Sequence, residues 1–395
     1  MPTEPIILDP VRLTQLAPAD PLRPAEGPHL LGYLATVADP RARSGRRHPL
    51  VAILAISAAA VLAGARSIAA IAEWAADAPQ PVRAALGTRF DPLTGRWSVP
   101  EESTIRRALA RLDADPLARA LGAWLADRDH PDRRRRAVAV DGKTIRGASR
   151  TGDRVHLLAC MDHTTRAVLA QRDVDAKANE IPGFQPLLDP LDLAGAVVTA
   201  DAQHTNRAAA EFLVTVKHAH YLFIVKGNQP TLHARCARLP WHNVPALDRT
   251  RDRGHGRIEL RTLKAVSVRG FGFPHTAQVI QVTRKTRELG TRRWRTTIVY
   301  AVTSLAHHQA SPGRLADLIR GHWSIENGLH YVRDVTFAED ASRVRTGTAP
   351  QVLACLRNLV IGALSRAGPV NTAAALRHHS RNPHRPLATL GITNP

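Results

Sequence analysis

Apolar residues along the chain follow two spacing regimes, and the change between them marks the domain plan. From His29 to about Asp129 the spacing is helical. Leu50–Ala65 is an alanine-rich apolar run, shorter than the ~20 residues a bilayer span needs, and predicts a buried helix. Ile68–Ala76 sets Ile68, Ile71, Ala72 and Ala75 on one face. A third helix is expected from Ser103 as N-cap, with Ile105, Ala108, Leu109 and Leu112 facing inward and Arg106, Arg107 and Arg111 outward. A fourth lies around Leu117–Leu125.

A basic linker, Arg133–Arg136, follows, and the period shortens. Ala137–Val140 is a short apolar run ending in Asp141, and Val155–Cys160 and Ala167–Gln171 continue as strands. Ile181–Leu188 predicts a helix, Ala196–Ala200 a strand ending in Asp201, Asn206–Val216 a helix and Tyr221–Val225 a strand closed by Lys226. Ile258–Val268, Gln278–Arg284 and Trp294–Val302 form a β-rich stretch within about 235–303. Helices are then expected over about Pro312–Val332 and Gln351–Arg366, before an irregular tail. Three early strands followed by alternating helix and strand predict an α/β fold, a mixed sheet flanked by helices. The expected domains are a loose proline-rich arm (1–28), a helical N-terminal domain (29–132), an α/β domain (133–345) and a C-terminal helix with its tail (346–395).

Charge narrows the function. Fifty-four Lys and Arg face 34 Asp and Glu, a formal net charge of +20. Such a field attracts polyanions and makes nucleic acid the default partner; ribosomal or membrane-surface binding would also fit the charge alone. Three scattered cysteines, Cys160, Cys236 and Cys355, form no CxxC pair, which argues against a disulfide framework or a structural zinc and fits a reducing cytoplasm. The opening MPTEPIILDPVRL lacks a basic segment followed by an apolar one, so no signal peptide is expected. Nineteen histidines invite a zinc site, but none has HExxH-type spacing.

The candidate chemistry is carboxylate chemistry. Asp141 and Asp201 each close an apolar strand, where α/β sheets gather ligands, and paired carboxylates there suit Mg²⁺ or Mn²⁺. A strand-ending Asp is also a common turn former. Glu326 lies in the helical stretch IRGHWSIENGLHYVRDVTF, where helical spacing puts His322, Glu326 and Arg333 on one face. By spacing alone that stripe equally describes a surface ion pair.

Longer motifs separate these alternatives. AVDGKTIRGA (Ala139–Ala148), KANEIPGFQPLLDPLDLAGAVVTADAQHTN (Lys177–Asn206), YLFIVKGNQPTL (Tyr221–Leu232) and GHWSIENGLHYVRDVTFAEDASRVRTG (Gly321–Gly347) resemble the ISAs1 group of DDE transposases, within the IS4-like class of insertion-sequence enzymes. DPRARSGRRHPL, LAGARSIAAIAEWA and VPEESTIRRALARLD extend the resemblance over nearly the whole chain. It implies an RNase H-like catalytic core with a β-rich insertion before the last acidic residue, and the acidic triad Asp141, Asp201 and Glu326. The 60 positions between the aspartates and the 125 from Asp201 to Glu326 accommodate that insertion. It further implies two Mg²⁺ ions, replaceable by Mn²⁺, that cut element ends and join 3′-hydroxyls to target DNA.

The wider class carries tyrosine and arginine at −7 and −4 from the glutamate, where this chain has Ile319 and His322. Arg333 stands where that class has lysine, and is expected to meet phosphate, as His322 could. Lys143 and Lys226 are candidates to neutralise developing charge, or simply to bind phosphate nonspecifically. The arginine face of Arg106, Arg107 and Arg111 resembles a recognition helix, or is a solvated surface. Trp294 among arginines suits base stacking, or a core position. The expected partner is double-stranded DNA, element ends and target, with at least a dimer assembled on it in the nucleoid-associated cytoplasm. The competing functions are a metal-dependent nuclease without strand transfer and a domesticated, non-catalytic DNA-binding protein.

Overall fold

The computed structural model describes residues 29–128, 136–150, 153–174, 180–254, 256–366 and 371–392. The proline-rich arm and most of the basic linker fall outside these residues. The N-terminal part contains α1 (Leu30–Ala35), α2 (Leu50–Leu62), α3 (Ile68–Asp77) and α4 (Gln80–Ala85). A hairpin, β1 (Arg89–Asp91) and β2 (Arg96–Ser98), leads to α5 (Glu102–Arg111) and α6 (Ala114–Asp127). Helix α2 is apolar all round and almost wholly buried, as its sequence demands. Helix α5 starts one residue before the expected Ser103 cap: Glu101 is the cap residue, and Ser103 lies inside the helix.

The sheet begins with β3 (Ala137–Arg150), β4 (Asp153–Asp162) and β5 (Val168–Val174), an antiparallel meander. Next come α7 (Ile181–Leu188), β6 (Val197–Ala200), α8 (Arg207–Glu211), β7 (His220–Val225) and α9 (Pro230–Ala237). Strands β6 and β7 add parallel to β3, each preceded by a helix that brings the chain back across the sheet. Four more strands follow: β8 (Asp248–Gly254), β9 (Arg257–Ser267), β10 (Gln278–Glu288) and β11 (Arg295–Thr303). They do not form a separate sheet. Strand β11 pairs with β7, so the described residues hold one nine-stranded mixed sheet ordered β5-β4-β3-β6-β7-β11-β10-β9-β8. The hydrophobic pattern missed β8, because DRTRDRG has no apolar side chain to reveal a strand at a solvated edge.

Helix α10 (Pro312–His322), capped by Ser311, packs across β3, β6 and β9. Gly321 allows the close approach, since a Cβ there would overlap the His163 ring. Helix α11 (Ala349–Arg366) is buried along nearly its whole length and ties α2, α5 and α6 to the sheet. At roughly 1.5–3 kcal/mol per buried large aliphatic side chain, α11 is a main bond between the two parts. The tail is not irregular: α12 (Thr372–Ser380), capped by Asn371, and α13 (His384–Thr389) bury Leu376 and Leu387. None of the described helices is long and apolar enough to cross a membrane.

Candidate metal centre between β3 and β6

Strand register brings the two aspartates together. Val140 of β3 pairs with Ala200 of β6, so Asp141 and Asp201 follow at neighbouring positions on strands about 4.8 Å apart. Both belong to the sheet face covered by α10, because Ala137 and Val197, an even number of residues away, pack into the α10 cluster. Asp201 is partly exposed, and its Oδ1 accepts from the amides of Gln203 (2.9 Å) and His204 (3.4 Å), which fixes the turn after β6.

Glu326 reaches the same place from the other side, by a backbone the periodicity did not foresee. Helix α10 stops at His322, and the chain then winds as π-helix over Glu326–His330 and Val332–Thr336. These wider i→i+5 turns rotate less per residue than an α-helix, so an offset of seven no longer returns to the same face. The expected stripe of His322, Glu326 and Arg333 is therefore corrected. Glu326 stays exposed, whereas Arg333 is fully buried, its Nε 2.8 Å from Glu339 Oε2. Arg333 is a core ion-pair residue and presents nothing to a phosphate.

The π turn also brings in His330, which the sequence reading passed over; its position four residues after Glu326 was the only signal. His330 Nδ1 lies 3.5 Å from Asp141 Oδ2 and 3.8 Å from Glu326 Oε2. Donor atoms of Asp141, Glu326 and His330 all fall within 4.8 Å of one another. Asp201 stands outside this tight group but close enough to act on Asp141 through its charge.

Electrostatics there favour a cation. Burial, reinforced by the charges of Glu326 and Asp201, pushes Asp141 up to about 8. Glu326 is held below the usual range, chiefly by the His330 imidazole beside it. Without a cation, the pair keeps a proton on the more buried Asp141. Burial keeps His330 below its ordinary value and therefore neutral, free to offer a lone pair, and its Nε2 is buried without a partner. Two oxygen donors and a neutral imidazole, with a third carboxylate alongside, fit a divalent ion.

The surrounding residues divide into committed and free. Lys143 lies on the Asp141 face of β3, but its Nζ is buried against Asp334 (2.6 Å to Oδ1) and near Asp340 (4.0 Å). The expected phosphate contact by Lys143 is thus taken up by an internal ion pair. His322 is buried, its Nδ1 3.3 Å from Thr199 Oγ1, and burial pushes it down to about 4. Lys226, exposed just past β7, is open to solvent and acts through its charge on His322.

On the opposite side of β3, Glu180 accepts from His156 Nε2 (2.6 Å) and His204 Nε2 (2.9 Å). Burial opposes that charge, but the two imidazole hydrogen bonds outweigh it and hold Glu180 down at about 2. Its carboxylate occupies the space a Cβ at Gly142 would need, which explains glycine beside Asp141. Glu180 was not singled out from sequence, since nothing in its spacing links it to Asp141.

Away from this centre, Arg106 pairs with Glu102 and lines a shallow groove with Arg66 and Arg343. Arg107 donates to Ser103 O (3.2 Å), and Arg111 is exposed at the end of α5. Trp294 is 37% exposed, and the Arg287 guanidinium covers it at 5.0 Å from the ring centroid. It is neither a core residue nor a bare stacking platform.

Comparison with known proteins places the chain in a family. Residues 31–125 match the DDE_Tnp_1-associated family, and residues 132–362 match the transposase DDE domain. YncI of Escherichia coli O157:H7, named as a transposase, is 28% identical over 352 residues, covering 85% of this chain and 87% of that protein. YhhI of E. coli K12, named as an H repeat-associated transposase, is 26% identical over 293 residues, 68% of this chain and 74% of that one. A cryo-EM structure of the piggyBac transposase synaptic complex with hairpin DNA overlaps 89% of this chain and 76% of that chain, at TM-score 0.39 and 11% identity, too distant to carry weight. Because the second family match spans more than half of the residues and includes all three acidic positions, the chain belongs to the transposase DDE domain family.

Proposed function

We propose that this protein is an insertion-sequence DNA transposase of the ISAs1 group, built on an RNase H-like core, that cuts element ends and joins the 3′-hydroxyls to target DNA. The observation that carries this reading is the crowding of Asp141 with Glu326, beside Asp201, where a neighbouring internal cation, Lys143, is turned onto Asp334. A site assembled this way favours a cation from outside. Support for the core comes from the sheet itself, an antiparallel meander β3-β4-β5 with β6 and β7 added parallel on the other side of β3.

Asp141, Asp201 and Glu326 would hold two divalent ions, Mg²⁺ or in its place Mn²⁺, with the His330 imidazole against Asp141 and Glu326. Bound ions of this kind activate water or a 3′-hydroxyl and stabilise the leaving oxygen. The protein's own residues set the stage. The Asp201 turn amides fix one carboxylate, the packing of α10 against β3 and β6 delivers Glu326, and neutral His330 adds no competing charge. Lys226 at the open strand end is a cation placed to meet a phosphate. The exposed side of α5, with Arg106, Arg107 and Arg111, is the N-terminal candidate for duplex contact. No covalent protein–DNA intermediate is needed. Two ends must be brought together, so the active form is at least a dimer on DNA, working in the cytoplasm on the nucleoid.

Purified protein incubated with labelled element-end DNA and Mg²⁺ tests this reading. Joined products are expected. Cleavage without joining would mean a nuclease, and an intact but shifted band would mean a non-catalytic binder; either overturns the proposal.

A further inference from the structure

Beyond the Tyr300–Val225 pair, β8–β11 run on past the end of β7, and their side chains project to two faces of the sheet. Register assigns each side chain to one of them. Arg261 pairs with Arg284, and Glu259 and Asp252 face one another on the same side. This face continues that of Leu263, Ile280 and Ala301, against which α10 packs. It neutralises itself: Glu259 alone takes Arg261 and, at 2.6 Å, Arg284, with Arg257 at 3.8 Å.

The opposite face has no such balance. Arg249, Arg251 and Arg253 alternate along β8, and Lys285 and Arg287 lie in register with Arg251 and Arg253 two strands away on β10. No Asp or Glu of β8–β11 projects to this side, and among the described residues none of the five cations is ion-paired. Arg249, Arg251, Arg253 and Lys285 are exposed, and Arg287 is steadied over Trp294. The two rows are about 10 Å apart, with side chains every ~6.7 Å along each. Cations on an edge strand can serve to discourage sheet-to-sheet pairing, but Lys285 and Arg287 sit on an interior strand, where that purpose is absent. An uncompensated array of exposed cations spread over two rows suits an extended polyanion better than a small ligand.

We infer that the distal face bearing Arg249, Arg251, Arg253, Lys285 and Arg287 docks the sugar–phosphate backbone of duplex DNA. This rests on the transposase reading, and deepens it. Because α10 and the acidic centre occupy the other side of the sheet, the duplex held here lies outside the segment being cut.

The test is equilibrium binding of full-length protein to a long duplex across a salt series, with divalent ions omitted. Arg251→Glu/Lys285→Glu is expected to weaken binding at least tenfold and to flatten the salt dependence by about two counterions. Arg257→Glu/Arg295→Glu changes net charge equally on the α10 face and is expected to stay within about twofold of wild type. Arg251→Gln/Lys285→Gln, milder at exposed positions, should flatten the slope in the same direction. Equal losses from both faces would reduce the effect to overall charge and overturn the proposal, as would an unchanged slope in the first pair. Since no cleavage is involved, failure of the catalytic reading leaves this result standing or falling by itself.

Discussion

Glu339 and Asp141 are both enclosed carboxylates of the DDE-domain half, and the protein treats them in opposite ways. Glu339 is fully buried between Arg333 and Arg357, with Nη1 of Arg357 at 2.7 Å and Nη2 of Arg333 at 2.7 Å. Burial alone would raise it, yet those guanidinium charges hold it below the ordinary range. Asp141 is pushed up to about 8 by burial, and its neighbouring carboxylates add to the rise. The cations that might have served it are spent elsewhere, Lys143 on Asp334 and Arg333 on Glu339. The contrast teaches how a structural acid differs from a candidate metal ligand in this fold: the first is neutralised by its own chain, the second is left short of positive charge.

The largest expected effect follows from removing a carboxylate of the second kind. Asp201→Asn should cut Mg²⁺-dependent DNA cleavage by on the order of a thousandfold, while gel-shift affinity for DNA stays near wild type; retained cleavage would remove Asp201 from the centre. Glu339→Gln should act on the fold instead, costing roughly 3–5 kcal/mol in denaturant unfolding because two buried guanidinium groups lose their counter-charge. If it were neutral, the structural half of the comparison would fail.

A smaller effect concerns ligand linkage. Mg²⁺ at a hundredfold excess over its Kd should stabilise wild type by about 2.7 kcal/mol in thermal or chemical unfolding, and Asp141→Asn should lose most of that gain. The smallest is a pH slope. Asp141 titrates in the folded protein at about 8 against an ordinary 3.8, so between these values the native state holds a proton that the unfolded chain releases. Metal-free wild type should then lose stability relative to Asp141→Asn as pH rises from about 4 to 8. His322, held down near 4 by burial, acts oppositely up to its ordinary 6.5 in both proteins and cancels in the difference. A parallel pair of curves would contradict the assignment of the proton to Asp141.

Much of this was legible in sequence where local pattern and tertiary packing agree. The runs AVAV and AVVTA announced strands and put Asp201 just past the end of β6; Asp141 instead lies inside β3, which runs on to Arg150, at the point where its pairing with β6 stops, and Ile181–Leu188 folds with the bounds its pattern gave. What was hidden is what spacing cannot express. A π-helical segment breaks the 3.6-residue face rule, so Arg333 was misassigned and His330 overlooked. Strand β8 is too polar to register as apolar alternation, and α12 and α13 carry histidines and prolines that mask short helices. Glu180 reaches Gly142 across the sheet, a contact between residues 38 positions apart with no local trace.

If Asp141, Asp201 and Glu326 receive divalent cations, anomalous scattering from crystals grown with Mn²⁺ will show them. The account predicts manganese density bounded by the carboxylates of Asp141, Asp201 and Glu326, lost in Asp141→Asn crystals grown alike. Manganese bound elsewhere, with those three side chains bare, would contradict it.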